Sequence, residues 1–270
     1  MATSFLDHSV GRLAYDVAGQ DGAPLVLLVA GMGDTMSAFR FLQPLLVAQG
    51  YRVGRMDQRG HGESSVPWPG YGSPATGDDM LALIRHLGGP AIIVGHSNAA
   101  AAAIWAAAEA PELVNGIALI GPFLHDATLN PLLKLALKIV THSPLIWSKA
   151  YYPSLYKAAK PADFAEYTRA MHTTLKHKGR MAATAGVATE QERCRARIAE
   201  LRCPVRIVMG SKDPDFPDPV GEATSDQQLL RAHTTVSVEL IDGAGHYPHA
   251  ELPDATAAAL LPFLAEVSDA

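Results

Sequence analysis

Short apolar runs, each ending at a glycine or a polar turn, recur along most of this 270-residue chain. Helix-like spacing separates the runs, and this alternation is typical of βαβ units in a mostly parallel α/β sheet flanked by helices. A weaker pair near Leu13–Val17 predicts that the sheet begins with an antiparallel edge. Because ligands gather at the carboxyl ends of strands in such sheets, we expect functional residues in the turns that end the runs. Six runs predict buried strands: Leu25–Ala30, Arg52–Met56, Ala91–Val94, Gly116–Ile120, Pro204–Met209 and Val236–Ile241.

The rhythm fails between Pro122 and Leu201, where no run resembles a strand. Helix-like apolar spacing fills this stretch, and it is too long for a plain loop. We therefore predict a core domain of residues 1–121 and 202–270, with residues 122–201 inserted as a helical cap over the strand ends. The cap is broken at four prolines: Pro131, Pro144, Pro153 and Pro161.

One segment of the predicted cap, Pro131 to Trp147, admits two interpretations. Lys134 and Lys138 share one helical face, while the apolar residues Leu133, Leu137 and Val140 lie largely elsewhere. Such a helix either lies on a membrane surface or turns its apolar side toward the pocket. We favour the second interpretation.

Composition limits the class of protein. Hydrophobic residues make up 48% of the chain and charged residues 18%, which argues against disorder. The net charge is −5 and no basic run occurs, so nucleic acid is not an expected partner. The N-terminus lacks a signal-like pattern, no apolar run approaches about 20 residues, and Cys194 and Cys203 form no CxxC pair. We expect a cytoplasmic protein without a membrane span that acts on a small molecule. The sequence leaves the oligomeric state open.

The strongest local signal lies between a predicted strand and an alanine-rich helix, where Ile92–Ala99 read IIVGHSNA. A serine in such a tight turn adopts a strained backbone conformation, so the residues two positions before and after it must be small. Gly95 and Ala99 meet this requirement around Ser97. The turn would hold the Ser97 hydroxyl near the positive end of the helix, which indicates a nucleophile.

A serine hydroxyl becomes an effective nucleophile only when a base takes its proton. His246 lies in the glycine-rich segment DGAGHYPH after the last predicted strand. Asp213 follows the strand that ends near Gly210, and its carboxylate would fix the imidazole tautomer. Asp215 and Asp218 are alternative acids, but Asp213 lies nearest to the strand end. We expect His246 to titrate near the unperturbed value of about 6.5.

These features together resemble the α/β-hydrolase superfamily, in its esterase, lipase and haloperoxidase-like branch. The chain order of serine, aspartate and histidine is the order of that family. The resemblance runs from about Leu13 to Leu264 apart from the insertion, and it implies an α/β-hydrolase fold with a helical cap. Further matching segments are AGMG at Ala30–Gly33, DQRGHGES at Asp57–Ser64, GSKDP at Gly210–Pro214 and the pair Gly245–His246.

The resemblance also implies an oxyanion hole, formed by the backbone N–H groups of Met32 and Asn98. Ala30 and Ala99 stand where the family has a histidine and a glycine, so the substrate subclass stays open. A packing role is an equal alternative for His96, and so is an anchoring role for Trp147. The residues expected at the substrate pocket are Gly31, His96, Trp147, Tyr151 and Tyr152.

Two other patterns carry less weight. Gly31–Gly33 with Asp57 imitates a dinucleotide-binding fingerprint, but Met36 replaces its third glycine. His246 and His249 suggest a metal pair, yet no third ligand cluster accompanies them. We therefore expect no cofactor and no metal. Supporting roles are expected for the remaining polar residues of these turns: Asp57, His61, Ser64 and His249.

The expected reaction is hydrolysis of a small to medium apolar or aromatic carboxylic ester through an acyl-enzyme on Ser97. Three alternatives on the same triad stay open, namely lactone hydrolysis, carbon–carbon bond hydrolysis and cofactor-free perhydrolysis. An alternative of another class is a ligand receptor that keeps a slow triad. A serine at the turn disfavours the epoxide-hydrolase and dehalogenase branches, where an aspartate is expected.

Overall fold

The protein, seen in a computed structural model that describes residues 2–125 and 130–268, contains one eight-stranded sheet flanked by helices. The strand order is β1-β2-β4-β3-β5-β6-β7-β8; β1 and β4 both pair antiparallel with β2, and all other pairs are parallel. The mostly parallel α/β sheet predicted from the sequence is confirmed. The strands are β1 Ser4–His8, β2 Gly11–Ala18, β3 Leu25–Val29, β4 Arg52–Met56, β5 Ala91–His96, β6 Val114–Ile120, β7 Val205–Gly210 and β8 Val236–Ile241.

The antiparallel edge predicted near Leu13–Val17 consists of β1 and β2. The outer strand, β1, has residues that are exposed or half-buried. An edge strand of this kind has no continuous apolar run, so its signal in the sequence is weak. β5 continues two residues beyond the predicted end, to His96, so that the next residue, Ser97, forms the turn itself.

Helices cover both faces of the sheet. Six of the described helices lie outside the long connection between β6 and β7, namely α1, α2, α3, α10, α11 and α12. The bounds are α1 Leu42–Ala48, α2 Ser73–Leu87, α3 Asn98–Glu109, α4 Pro131–His142, α5 Pro144–Ile146, α6 Tyr152–Ser154, α7 Phe164–Leu175, α8 Arg180–Val187, α9 Gln191–Arg195, α10 Pro219–Arg231, α11 Pro248–Glu251 and α12 Pro253–Ser268. A wide π-helical turn at Trp147–Tyr151 joins α5 to α6.

Side chains alternate between two apolar layers along each central strand. On β3, Leu25 and Leu27 belong to the layer that includes residues of α2 and α3. Val26 and Leu28 of the same strand belong to the opposite layer, with residues of α1 and α12. Because both faces are covered, the strand reads as an unbroken apolar run in the sequence.

The connection between β6 and β7 contains only helices and turns within residues 122–125 and 130–204, as the sequence predicts. Residues 126–129 of the predicted cap lie outside the described residues. A third apolar cluster joins this connection to the sheet, because Trp147, Tyr152 and Met171 pack there with Tyr247 and Ala250. The division into a core of residues 1–121 and 202–270 and a cap of residues 122–201 stays a prediction.

The two sides of α4 have different surroundings. Leu132, Leu135 and Ile139 face solvent, with side chains that are 77%, 55% and 50% exposed. On the side that was expected to face the pocket, Val140 packs against the cluster of Trp147 and Tyr152, Leu137 is 39% exposed, and the side chain of Leu133 lies outside the described residues. Among residues 2–125 and 130–268, no helix combines the length and the apolar character needed to cross a membrane.

Candidate active site

Ser97 occupies the turn between β5 and α3 in a strained conformation. Its backbone angles, φ 57° and ψ −124°, lie in a region that non-glycine residues rarely adopt. The neighbours explain how the turn closes: a Cβ on Gly95 would lie 2.6 Å from the carbonyl oxygen of Ala99. The Ser97 N–H donates to the carbonyl of Ile120 at the end of β6, which fixes the turn against the sheet. Strain held in this way is typical of functional positions.

Asp213 and His246 meet at the same edge of the sheet. His246 Nδ1 and Asp213 Oδ2 are 2.6 Å apart, and both side chains are almost completely buried. Gly121, the residue after β6, makes this approach possible, because a Cβ there would lie 3.1 Å from the imidazole ring. Since Ser97 bonds to Ile120, the serine turn and the His246 ring adjoin the same end of β6.

The other two carboxylates of this loop have different surroundings. Asp215 Oδ2 lies 3.7 Å from His246 Nε2, and the Asp215 N–H donates to Asp213 Oδ1. The Tyr151 hydroxyl donates to both Asp215 oxygens, at 3.1 and 3.2 Å. Asp218 caps α10, where its side chain accepts from the N–H of Gly221. Asp213 therefore bonds to Nδ1 of the imidazole, and Asp215 faces its other nitrogen.

The charge around His246 changes its basicity. Burial lowers the pKa of His246, but the negative charges of Asp213 and Asp215 outweigh burial and raise that pKa to about 9. The expectation of an unperturbed value near 6.5 is therefore wrong, because it did not include the charge of Asp213, which is the larger contribution, or that of Asp215. Burial in turn raises the pKa of Asp215 above its ordinary range.

The loop after β3 carries the amide predicted for the oxyanion hole. Gly31 N–H donates to His96 Nδ1 at 3.3 Å, and Gly33 N–H donates to His61 Nε2 at 3.1 Å. Among the described residues, the N–H of Met32 between them has no acceptor. Asn98 is the first residue of α3, and the first amides of a helix lack partners within it. Both amides are thus available to an external oxygen.

His96, predicted for either the pocket or packing, is completely buried behind the serine turn. Since its Nδ1 accepts from Gly31, its proton lies on Nε2, which donates to the carbonyl of His246 at 2.9 Å. Burial lowers the pKa of His96 well below its ordinary value, so the ring stays neutral. His96 therefore connects the loop after β3 with the loop that carries His246.

The other polar residues of these turns have structural contacts. Asp57 accepts from the N–H groups of Met36 and Glu63, and the Ser64 hydroxyl donates to the Asp57 carbonyl. His249 is completely buried and stacks on Phe39 with ring centroids 4.4 Å apart. Burial lowers the pKa of His249 to about 3, which makes it a poor base at neutral pH.

Aromatic side chains of the β6–β7 connection reach the loop after β3 and the loop after β7. Trp147 is 1% exposed and its ring lies against Gly33, where a Cβ would approach it to 2.5 Å. Tyr151 contacts Trp147 and bonds to Asp215. Tyr152 is completely buried and donates to Asp34 at 3.0 Å. Gly31 directly adjoins the turn at Ser97, because a Cβ on Gly31 would lie 2.9 Å from Ser97 Cβ.

Two acidic residues that position the site were not predicted from the sequence. Asp34, which is 2% exposed, accepts hydrogen bonds from Tyr152 and Tyr167 and from the N–H of Thr35. Burial raises the pKa of Asp34. The only sequence signal is an acidic residue beside a predicted oxyanion turn, which does not reveal a partner 118 positions away.

Glu251 is the second residue of this kind. One of its oxygens accepts from the N–H groups of Gly245 and Tyr247, on both sides of the His246 residue. The other accepts from the N–H groups of Lys157 and Ala158 in the connection, at 2.7 Å each. Glu251 therefore binds the loop that carries His246 to the segment of Lys157 and Ala158 in the β6–β7 connection.

Among the described residues, the ligand atoms of Asp213, Asp215 and His246 lie close enough to hold a metal ion. Asp213 Oδ2 and His246 Nδ1 are, however, already paired in a short hydrogen bond. In a catalytic triad, this contact is the one by which the acid orients the base.

A model of the alpha/beta hydrolase family matches residues 26–259 of this chain. The chain belongs to the α/β-hydrolase family. It is an α/β-hydrolase enzyme, and the order of its strands and the turn at Ser97 agree with that membership.

Curated relatives show moderate similarity over parts of the chain. A 2-(acetamidomethylene)succinate hydrolase of Mesorhizobium japonicum is 34% identical over 128 residues, which cover 46% of this chain and 45% of that protein. A proline iminopeptidase of Pestalotiopsis fici is 35% identical over 99 residues, 34% of each chain. An uncharacterized protein of Mycobacterium tuberculosis is 26% identical over 275 residues, covering 90% of this chain and 75% of that protein. The first two alignments thus span less than half of the relatives' lengths.

Solved structures share the fold over nearly the whole chain. A bromoperoxidase of Bacillus anthracis superposes with a TM-score of 0.82 at 19% identity, covering 97% of this chain and 99% of that one. An esterase of Thermogutta terrifontis gives 0.77 at 21% identity, covering 99% of both chains. A hydrolase of Pseudomonas aeruginosa gives 0.74 at 26% identity, covering 97% of this chain and 98% of that one.

Proposed function

We propose that this enzyme is a serine hydrolase that cleaves small to medium carboxylic esters with apolar or aromatic groups, through an acyl-enzyme on Ser97. The observation that carries the proposal is the 2.6 Å contact between Asp213 Oδ2 and His246 Nδ1, made beside the strained turn of Ser97. A buried carboxylate holds the imidazole in the tautomer that leaves Nε2 free to accept the serine proton.

Acylation follows from these contacts. Nε2 of His246 takes the proton of Ser97 Oγ as Oγ bonds to the ester carbonyl carbon. The carbonyl electron pair moves onto its oxygen, which accepts hydrogen bonds from the N–H groups of Met32 and Asn98. Asp213 stabilises the imidazolium formed in this step. The oxyanion then collapses, the bond to the alcohol oxygen breaks, and the alcohol leaves with the proton of His246.

Deacylation repeats the same chemistry with water. His246 takes a proton from water as the water oxygen bonds to the acyl carbon. Collapse of the second oxyanion breaks the bond to Ser97 Oγ, which recovers its proton from His246. The products are a carboxylic acid and the free enzyme, so no cofactor enters the balance.

The walls around His246 support the substrate class. Phe123 lies with its ring centroid 5.9 Å from that of His246, and it also packs against Phe216 at 4.8 Å. Tyr151 adds an aromatic face with a polar tip. Asp215 is the charged group nearest to Nε2 and repels an anion at that position. We therefore expect neutral apolar or aromatic esters to be preferred over anionic ones.

This expectation distinguishes the enzyme from its relative in Mesorhizobium japonicum, whose name specifies a succinate, an anion. A matched pair of substrates tests the difference: the p-nitrophenyl ester of a four-carbon neutral acid and the mono-p-nitrophenyl ester of succinic acid. We expect kcat/KM to be higher for the neutral ester by about tenfold or more, which corresponds to about 1.4 kcal/mol, because Asp215 repels the free carboxylate of the succinate ester.

The proposal is tested by steady-state turnover on neutral p-nitrophenyl esters of increasing chain length, with a lactone, a vinylogous 1,5-diketone as carbon–carbon substrate, and an amide included. Repeated turnover of the short and medium esters, and slower reaction with the others, supports an ester hydrolase. Preference for the lactone or the diketone would instead assign one of the alternative reactions. A burst of one equivalent followed by no turnover would assign a ligand receptor.

A further inference from the structure

A second group of polar side chains lies outside the candidate active site, where the segment after β6 meets α10. His125 belongs to that segment, and Glu222 and Asp226 lie four residues apart on α10, so they share one face of the helix. One ligand atom from each of the three residues lies within 4.8 Å of the others. Asp226 is completely buried, Glu222 is half-buried and the His125 side chain is 40% exposed.

Asp226 has no hydrogen-bond partner for either carboxylate oxygen among the described residues. Buried carboxylates without partners are costly, and native structures pair them or use them as metal ligands. The nearest nitrogen, His125 Nε2, lies 3.3 Å from Asp226 Oδ1 without the alignment of a hydrogen bond. Neither oxygen of this buried carboxylate is therefore hydrogen-bonded, and the group at ion-pair distance from it is an imidazole, which can also bind a metal ion.

The distance between His125 and Asp226 fits two ligands of a tetrahedral ion. Two ligands of such an ion lie about 1.6 bond lengths apart, which is about 3.3 Å for zinc bonds of about 2.0–2.1 Å. The separation of His125 Nε2 and Asp226 Oδ1 equals this value. Imidazole nitrogen combined with carboxylate oxygen suits zinc, whereas calcium and magnesium prefer oxygen ligands alone.

We propose that His125, Glu222 and Asp226 form a zinc site that joins the start of the β6–β7 connection to α10. Three protein ligands leave the fourth position to water. His125 opens onto a surface cleft of about 380 Å³, also lined by His233, which gives the ion an entry path. The hydroxyl of Ser225, 3.0 Å from His125 Nε2, is the group that the ion would displace from this nitrogen.

The site would act on the active site through packing. Phe123, two residues before His125, packs against both His246 and Phe216. Phe216 follows Asp215 in the loop that joins β7 to α10. An ion bound between His125 and α10 would therefore fix the two ends of this aromatic wall. Its contribution is to stability, because none of the three ligands contacts the triad residues.

The test uses the full-length protein without a histidine tag, treated with a chelator and dialysed. Zinc binding is measured by isothermal titration, and Co²⁺ serves as a spectroscopic probe of tetrahedral coordination. The wild type is expected to bind one zinc ion that His125→Ala and Asp226→Asn lose, with affinity at least about 100-fold weaker in each variant. At about 100 times its Kd, zinc should raise the Tm of the wild type by roughly 5 to 10 °C and leave the Tm of both variants unchanged.

Two controls separate this site from its neighbours. His233→Ala removes a histidine of the same cleft, and His246→Ala removes a ligand atom of the triad cluster; both are expected to keep the ion and its cobalt spectrum. Asp226→Asn keeps the size of the side chain, so the metal-free variant should fold. The proposal is overturned if zinc raises no Tm, if His246→Ala abolishes binding, or if His125→Ala and Asp226→Asn merely destabilise the metal-free protein equally, as an ion pair between the two residues would require.

Discussion

The sheet and the β6–β7 connection are stabilised by different kinds of contact. In the sheet, strands such as β3 bury every side chain, and apolar packing on two faces fixes their position. In the connection, α4 exposes most of its apolar residues, while buried polar contacts attach the segment to the sheet. Asp34 binds Tyr152 and Tyr167 of the connection, and Glu251 binds two of its backbone amides, those of Lys157 and Ala158. Apolar burial can be recognised in a sequence, whereas pairs of distant polar groups cannot.

The difference also separates two functions. The proposed nucleophile, acid and base all follow strands of the sheet, at positions defined by turns. In the connection, Trp147 contacts Gly33 in the loop after β3, and Tyr151 bonds to Asp215. We infer that the sheet carries the chemistry and that the connection adjusts stability and access.

Among the variants that compare the two regions, the largest expected effect concerns the acid on the sheet. Asp213→Asn should keep the fold but allow the wrong tautomer of His246, which lowers kcat by about 10⁴-fold. Asp218→Asn is the matched control, because an asparagine also caps a helix and should leave kcat near the wild-type value. Steady-state kinetics on a neutral ester measures both. Normal turnover by Asp213→Asn would remove this residue from the mechanism.

The second effect lies where the two regions meet. Trp147→Ala should lower the free energy of unfolding by about 3–5 kcal/mol, because the side chain is completely buried against Gly33. The ranking of ester chain lengths should not change if the residue is an anchor. Trp105→Ala, on the outer side of α3, should cost less. Denaturant unfolding beside the chain-length profile decides the matter: near wild-type stability with a shifted ranking would make Trp147 a specificity residue.

Much of this arrangement could be predicted from the sequence. The strand ends and the spacing of Gly95, Ser97 and Ala99 indicated the turn, because a strained serine needs small neighbours. The roles of Asp34 and Glu251 could not be predicted, since their partners lie far away in the chain. The outward apolar face of α4 was missed because periodicity identifies an apolar face but not what covers it.

A third pair of variants tests the comparison directly. Leu28→Ala, on β3, should cost about 2–5 kcal/mol of unfolding free energy, because the side chain is completely buried. Leu132→Ala, on α4, should change stability by less than about 0.5 kcal/mol, because its side chain is 77% exposed. Equal losses in the two variants would mean that α4 is covered in solution and that the contrast between the regions is incorrect.

The smallest effect is a shift along the pH axis. The base must be neutral to accept a proton, so kcat/KM should rise with pH through the His246 pKa, about 9 in the wild type. Asp215→Asn removes a negative charge that raises this pKa, so the midpoint should move to lower pH by about one unit. The pH profile of a neutral ester measures the shift. An unchanged midpoint would show that Asp215 does not interact with the base.

The central claim, that Ser97 is the nucleophile, is tested most directly by intact-mass analysis after reaction with a serine-directed phosphonate. The wild type should gain one phosphonyl group, which peptide mapping assigns to Ser97, with loss of esterase activity in step. Ser97→Ala should gain none, and its kcat should fall by about 10⁶-fold, the size of loss expected when a triad nucleophile is removed. A phosphonyl group on another residue, or undiminished turnover by Ser97→Ala, would contradict the account.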